Sequence, residues 1–290
     1  MLTINEPFFS IQIRNFDPFQ TFLCGQCFRW AQNQDGLWTG IVFGRRLKLS
    51  WENDICTLYG IDQQQFIDQF YDYFDLQTDY FSIKKKLVQM DEKLEKVVAF
   101  GSGMRLLRQD LWEVLLSFVI SQNNGIPRIK QIVDSLCLHF GKPISVEDDA
   151  YDFPQPEALA NTTMDNLNLC RGGYRCRYIS EISGILVHKP SFLTELKTLP
   201  SQQARELLLS LPGIGPKVAD CVLLYSGIDR SAFPVDRWIK RVMEELYFHR
   251  ETSEDTIRKF ARDTFGDLAG IAQQYLFYYA LNNFGKHADA

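Results

Sequence analysis

No run in this 290-residue sequence approaches the ~18 consecutive apolar residues of a membrane-spanning helix, so a helical membrane protein is not expected. The opening MLTINEPFFSIQIRNF lacks the basic start and small-residue cleavage site of a secretory signal, and an intracellular protein is expected, in cytoplasm or nucleoid for a prokaryotic source. Histidine is scarce: His139, His188, His249 and His287 stand far apart. Cys24-Gly-Gln-Cys27 reads as half a zinc site or a redox pair, but neither a second such pair nor paired histidines follow, so no zinc is expected. Only Cys221 lies beyond residue 176, too few cysteines for a C-terminal iron–sulfur cluster. Seven cysteines, an odd number, are expected to be free thiols in a reducing compartment. Positive charge is also lacking, with 31 Lys and Arg against 36 Asp and Glu and a net charge of −5. A long basic groove for nucleic acid is therefore not expected. What basic character exists is local: Arg128 with Lys130, Arg171 with Arg175 and Arg177, and Arg237 with Lys240 and Arg241. Such spacing suits a small, focused footprint.

Apolar residues make up 46% of the chain and charged ones 23%, which describes a globular protein able to bury a large core. Residues 1–60 read as strands, in the short β-prone runs 8–14, 27–31, 37–43, 46–50 and 55–59, with turns at 33–36 and 52–54. Residues 62–103 turn helical. Beyond Leu106 the pattern reads as helix to the end, punctuated by Gly141-Lys-Pro143, Pro154-Gln-Pro156, Gly172-Gly173 and Pro200. The expected fold is α+β and mainly α. An N-terminal antiparallel sheet with a helical connector occupies residues 1–104, and a helical domain occupies 105–290.

The chain is organised around residues 211–236, LPGIGPKVADCVLLYSGIDRSAFPVD. Leu211-Pro-Gly-Ile-Gly215 is a hairpin that no helix can continue through, since Pro212 fixes φ and Gly213 and Gly215 permit backbone shapes that a Cβ resists. Short helices are expected on either side, over 204–210 and 217–226. Backbone N–H groups of the hairpin and of the second helix start turn outward, a ready site for a phosphate. Lys217 opens that helix, where burial and the positive helix end favour a neutral, nucleophilic amine. Asp236 is placed to cap a third helix. Taken singly, these are a first-turn lysine and an ordinary cap.

Together the hairpin, Lys217 and Pro234-Val-Asp236 resemble the helix-hairpin-helix–Gly/Pro…Asp motif of DNA base-excision glycosylases, here over about 204–226 and on to 236. Lys-Val-Ala-Asp-Cys is similar to the 8-oxoguanine DNA glycosylase branch. In that branch the lysine is the nucleophile that forms a Schiff base and the aspartate assists.

Further stretches match the same branch in order. In Gly25-Gln-Cys-Phe-Arg-Trp30 the resemblance makes the Gly25 carbonyl the reader of the N7 proton of 8-oxoguanine. In Ser121-Gln-Asn-Asn-Gly-Ile-Pro-Arg128 it implies that Asn123 fills the hole left by an extruded nucleotide and that Arg128 reads the opposite cytosine. Gly125 stands where the branch has another asparagine. In Gly173-Tyr-Arg-Cys-Arg-Tyr178, Tyr174 matches the wedge and Arg175 a second reader of cytosine. In Gly270-Ile-Ala-Gln-Gln-Tyr-Leu-Phe277, Gln273 and Phe277 share a helix face and match the residues that bind and stack the base, with Cys221 against its other side. Trp238 stands in place of the branch's phosphate-touching histidine, a contact for which Arg237 is the substitute.

The resemblance implies a bifunctional glycosylase that excises 8-oxoguanine opposite cytosine through Lys217 and then nicks the strand by β-elimination. Double-stranded DNA is the expected partner and the enzyme is expected to be a monomer. No cofactor is required, though a structural monovalent cation is expected on the hairpin carbonyls of Leu209, Leu211 and Ile214. The alternatives are a glycosylase for other damaged purines on the same scaffold and a helix-hairpin-helix module that grips DNA without chemistry.

Overall fold

The computed structural model describes residues 7–145 and 150–284. Strands β1 (Phe8–Gln12), β2 (Trp30–Gln32), β3 (Trp38–Val42), β4 (Arg45–Glu52) and β5 (Ile55–Tyr59) form one antiparallel sheet in the order β1-β5-β4-β3-β2. The β3–β4 and β4–β5 hairpins turn on Phe43-Gly44 and Asn53-Asp54, all at positive φ, as two-residue turns matched to strand twist require. Alternation buries Trp38, Val42, Leu47, Leu49, Cys56 and Leu58 on one face. Against that face lies an aromatic cluster in which the Phe22 and Trp30 rings stack 4.0 Å apart. A Cβ on Gly40 would lie 2.3 Å from the Trp30 indole, so the missing side chain lets that ring lie on the sheet.

Two expectations for this region need correction. A helix, Pro18–Phe22, interrupts the strands, started by Asp17, whose carboxylate accepts from the N–H groups of Phe19 and Gln20. Residues 27–29 are also not strand. They follow a buried turn that the Gln26 side chain holds, donating to Thr21 O and Arg105 O and accepting from Leu107 N. A side chain there takes the place of a strand ladder.

The rest of the chain is mainly helical. The helix Leu111–Ser121 is buried along nearly its whole length, and the helices Ile126–Phe140, Arg175–His188 and Pro216–Tyr225 pack around it. The connector divides between two cores. Phe66, Phe70 and Phe74 join the sheet, whereas Leu87, Leu94, Val97 and Val98 join the helical domain. A further correction falls at 144–145 and 150–151, expected to be helical, where β6 (Pro143–Ser145) pairs with β7 (Ala150–Tyr151). The returning chain passes so close that a Cβ on Gly141 would sit 2.0 Å from Asp152 O.

The two cores are joined by buried charge. Asp75 is fully buried and accepts from Tyr80 (2.8 Å), Arg230 (2.8 Å) and Arg108 (3.1 Å). Arg105 donates to the carbonyls of Arg14, Asn15 and Asp75. A single buried carboxylate thus ties the connector to the helical domain. No helix among the described residues is long and apolar enough to cross a membrane.

Candidate active site

The hairpin joins the helices Ser201–Leu209 and Pro216–Tyr225. Gly213 adopts φ +74°, and a Cβ there would meet the Tyr178 ring at 2.5 Å, so only glycine fits. Gly215 differs. Its φ is ordinary and a Cβ would meet nothing within 4 Å, so its backbone borders open space at the helix start. Gln122 Nε2 donates to Gly213 O at 3.1 Å, which ties the hairpin to the loop after the buried helix.

Lys217 occupies the first turn after the Gly215 cap, half-buried, with Nζ donating to Ser121 Oγ at 3.1 Å and lying 5.1 Å from the Phe118 ring centre. Asp236 caps the helix Arg237–Met243. Its Oδ1 accepts from Trp238 N (3.0 Å) and Ile239 N (2.9 Å), which leaves Oδ2 outside the cap. Burial pushes the Asp236 carboxyl above the ordinary aspartate range, opposed by its cap hydrogen bonds and by Lys217.

Both residues line one cleft of about 900 Å³, together with Gly25, Cys221, Gln273, Phe277 and Asn123. Gly25 is at φ +79°, and a Cβ would press on Ile126 (3.1 Å) and Phe277 (3.2 Å). Its turn is held by Gln274, which donates to Cys24 O, and by Gln26. Burial pushes the Cys221 thiol up to about 12, so it meets the cleft as a neutral, polarisable group. Gln273 is 2% exposed; its amide N–H donates to Pro234 O at 3.2 Å, but its Oε1 has no partner among the described residues. A buried acceptor without a donor marks a place for a ligand's N–H.

The remaining expected DNA-facing residues form a rim. Tyr174 is 52% exposed, its hydroxyl 3.5 Å from Asn123 Nδ2. Arg128 donates to Arg171 O at 2.8 Å. Arg175 is turned inward, 8% exposed, donating to the carbonyls of Gln122 and Gly172 beneath the Tyr174 ring. Arg237 is exposed and stacked on Trp238. The expected basic clusters thin out: Lys130 donates to Trp30 O, Arg177 pairs with Glu181, and Lys240 with Glu251. At the hairpin, Leu211 O accepts from Ile214 N at 3.3 Å, whereas among the described residues no backbone N–H donates to Leu209 O or Ile214 O.

Sequence reasoning passed over Ser121, Gln122, Gln26 and Gln274. For Ser121 and Gln122 the available signal was a run of polar residues at the end of the apolar helix, which periodicity reads as a loop.

A hairpin-bearing helical domain with a lysine and a cap aspartate facing one cleft defines a helix-hairpin-helix base-excision DNA repair protein. Residues 116–265 match the model of the HhH-GPD superfamily of base excision DNA repair proteins, and residues 9–115 that of the 8-oxoguanine DNA glycosylase N-terminal domain. The chain belongs to the 8-oxoguanine DNA glycosylase family. It is similar to MBOgg1, solved with a low-affinity DNA ligand (41% identity, 96% of each chain, TM-score 0.92). It is also similar to the Clostridium acetobutylicum 8-oxoguanine glycosylase/lyase, solved with DNA bearing cytosine opposite 8-oxoG (39% identity, 93% of each chain, TM-score 0.89). The probable N-glycosylase/DNA lyase of Methanothermobacter thermautotrophicus is 30% identical over 228 residues, 71% of each chain.

Proposed function

We propose that this protein flips 8-oxoguanine out of duplex DNA, excises it through Lys217 and nicks the strand. The observation that carries this reading is the cleft itself, where Lys217, Asp236 and the unpartnered Gln273 Oε1 meet from distant parts of the chain. In the proposed route the Lys217 amine, deprotonated, attacks C1′ and the glycosidic bond breaks with its electron pair leaving on the base. The Asp236 carboxylate balances the positive charge of the sugar. Breaking the C1′–O4′ bond of that adduct, with one amine proton passing to O4′, opens the sugar and gives a Schiff base with Lys217, and removal of a C2′ proton expels the 3′ phosphate. Gly25 O accepts from the N7 proton of the lesion, Gln273 Oε1 accepts from its Watson–Crick edge, and Phe277 stacks on it opposite Cys221. Paying to unstack a base is justified only where the target atom lies inside the stack.

Tyr174 and Asn123 occupy the gap. Arg128 reads the opposite cytosine, joined by Arg175 once DNA draws its guanidinium from Gln122. The open backbone at Gly215, the turn at Gly213 and the exposed Arg237 contact phosphates, and a monovalent cation on Leu209, Leu211 and Ile214 carbonyls bridges to one of them. The enzyme acts as a monomer without another cofactor.

Borohydride trapping on a duplex with one 8-oxoguanine opposite cytosine tests this, with wild type beside Lys217→Gln. A covalent band from wild type alone is expected. Base release without a band overturns the Schiff base, and no release overturns the substrate.

A further inference from the structure

All seven cysteines are buried, but two of them face each other. Cys170 Sγ and Cys176 Sγ are 3.9 Å apart, and both point at Leu167 O, at 2.9 and 3.5 Å. Gly172 makes this approach possible. A Cβ there would lie 2.9 Å from the Cys176 sulfur and 3.5 Å from that of Cys170. The segment between the thiols is the exposed rim loop with Tyr174 at its tip, and both Arg171 and Gly173 are at positive φ. The two sulfurs lie under this turn, of which Arg171, Gly173 and Tyr174 are exposed.

We propose that Cys170 and Cys176 form a reversible disulfide under peroxide, and that closing it displaces Tyr174 and weakens the grip on DNA. Chemical environment singles out this pair. The thiol–thiol hydrogen bond holds Cys176 below the usual thiol range, aided by Gly172 N–H and Arg175 and opposed by burial, while the same hydrogen bond and burial push its partner Cys170 well above that range, so Cys176 is the attacking thiolate. Burial instead pushes Cys24 up to about 11, and Cys56, Cys137 and Cys221 to about 12. Thiolate is the form that attacks peroxide. The Cys176 sulfur takes one peroxide oxygen, giving a sulfenic acid and hydroxide. The Cys170 thiol then attacks that sulfur, and the disulfide forms with loss of water. Two thiols lose two electrons and the peroxide is reduced. A disulfide is about 2.05 Å long, so the sulfurs approach by roughly 2 Å, and Gly172 to Arg175 must absorb the movement. Because peroxide also oxidises guanine, such a switch would slow the enzyme under the conditions that create its proposed substrate.

The experiment treats the full chain with hydrogen peroxide, removes the excess with catalase, and measures both a peptide map and affinity for the lesion duplex. Trypsin cuts after Arg171 and Arg175, so the two cysteines leave on separate peptides unless a bond joins them. The expected result is a linked Cys170–Cys176 peptide with affinity about tenfold weaker, equivalent to about 1.4 kcal/mol of binding. Dithiothreitol restores it, and Cys170→Ser and Cys176→Ala, both still melting cooperatively, show no peroxide response. Absence of the linked peptide, an unchanged affinity with the bond formed, or an equal loss in the Cys170→Ser protein would each overturn the proposal. Its rationale rests on the function proposed above. A wild type that binds the duplex but never excises would sink that function, while the map and affinity would still decide the switch.

Discussion

At Asp236 one side chain serves structure and chemistry through different oxygens. Oδ1 accepts both cap hydrogen bonds, and the carboxyl is pushed up by burial. A raised carboxyl takes up its proton at a higher pH than in the unfolded chain, so ionising it on raising the pH costs the fold stability. For catalysis the sign is opposite, because the carboxylate is the working form. Excision should therefore fall on acidification at a pH above the ordinary aspartate range, and a single-turnover pH profile at constant ionic strength reads that limb. Asparagine caps about as well as aspartate, whereas alanine costs ~1 kcal/mol. Asp236→Asn should thus melt like wild type yet lose excision, and Asp236→Ala should lose both. Gly25 makes a second residue-scale case. Its φ of +79° costs a side-chain residue ~1–2 kcal/mol, and the added methyl meets Ile126 and Phe277. Gly25→Ala should lower the melting temperature slightly and lower lesion affinity strongly, with binding to undamaged duplex kept.

At the scale of elements, the hairpin is held from outside as well as by its own glycines. Gln122 joins it to the loop after Leu111–Ser121, its side chain on Gly213 O and its own carbonyl under Arg175. Gln122→Ala removes the first tie and keeps the second. One hydrogen bond of this kind contributes ~1 kcal/mol. The expected result is duplex affinity reduced about fivefold, with an unchanged single-turnover rate at saturating enzyme; a slowed rate would place Gln122 in the chemistry. The elements also show where reading by pattern stops. Helix Pro18–Phe22 and the pair β6–β7 are too short for hydrophobic periodicity to register, and local caps and close backbone approach set them instead.

For the whole molecule, Asp75 and its arginines are the joint between the two cores. Asp75→Ala leaves Arg230 and Arg108 without their buried partner, a change that costs ~3–5 kcal/mol at residues that do not line the cleft. Chemical denaturation should show that loss, or separate transitions for the sheet and the helical domain. A net charge of −5 with few exposed arginines on the rim also limits the phosphates neutralised. The logarithm of affinity should fall with the logarithm of salt at a slope near −3 to −4, about −0.9 per phosphate. A slope near −10 would reveal a basic surface that the charges described here do not form.

The order of strands before helices, the hairpin, and most of the cleft residues could be read from sequence, because each rests on local chemistry: alternation, proline and glycine geometry, capping. The fold brings Tyr174 and Asn123 side by side, hydroxyl and amide 3.5 Å apart. Only the tertiary structure decided the rest. Asp75, Gln26 and Gln122 act on partners 155, 79 and 91 residues away, and no local pattern encodes such pairings. Arg175 reads as a free basic residue until the fold supplies the carbonyls of Gln122 and Gly172 that bury it. The unpartnered Gln273 Oε1 likewise exists only once the core has closed around it, since burial is what turns a solvated amide into a site.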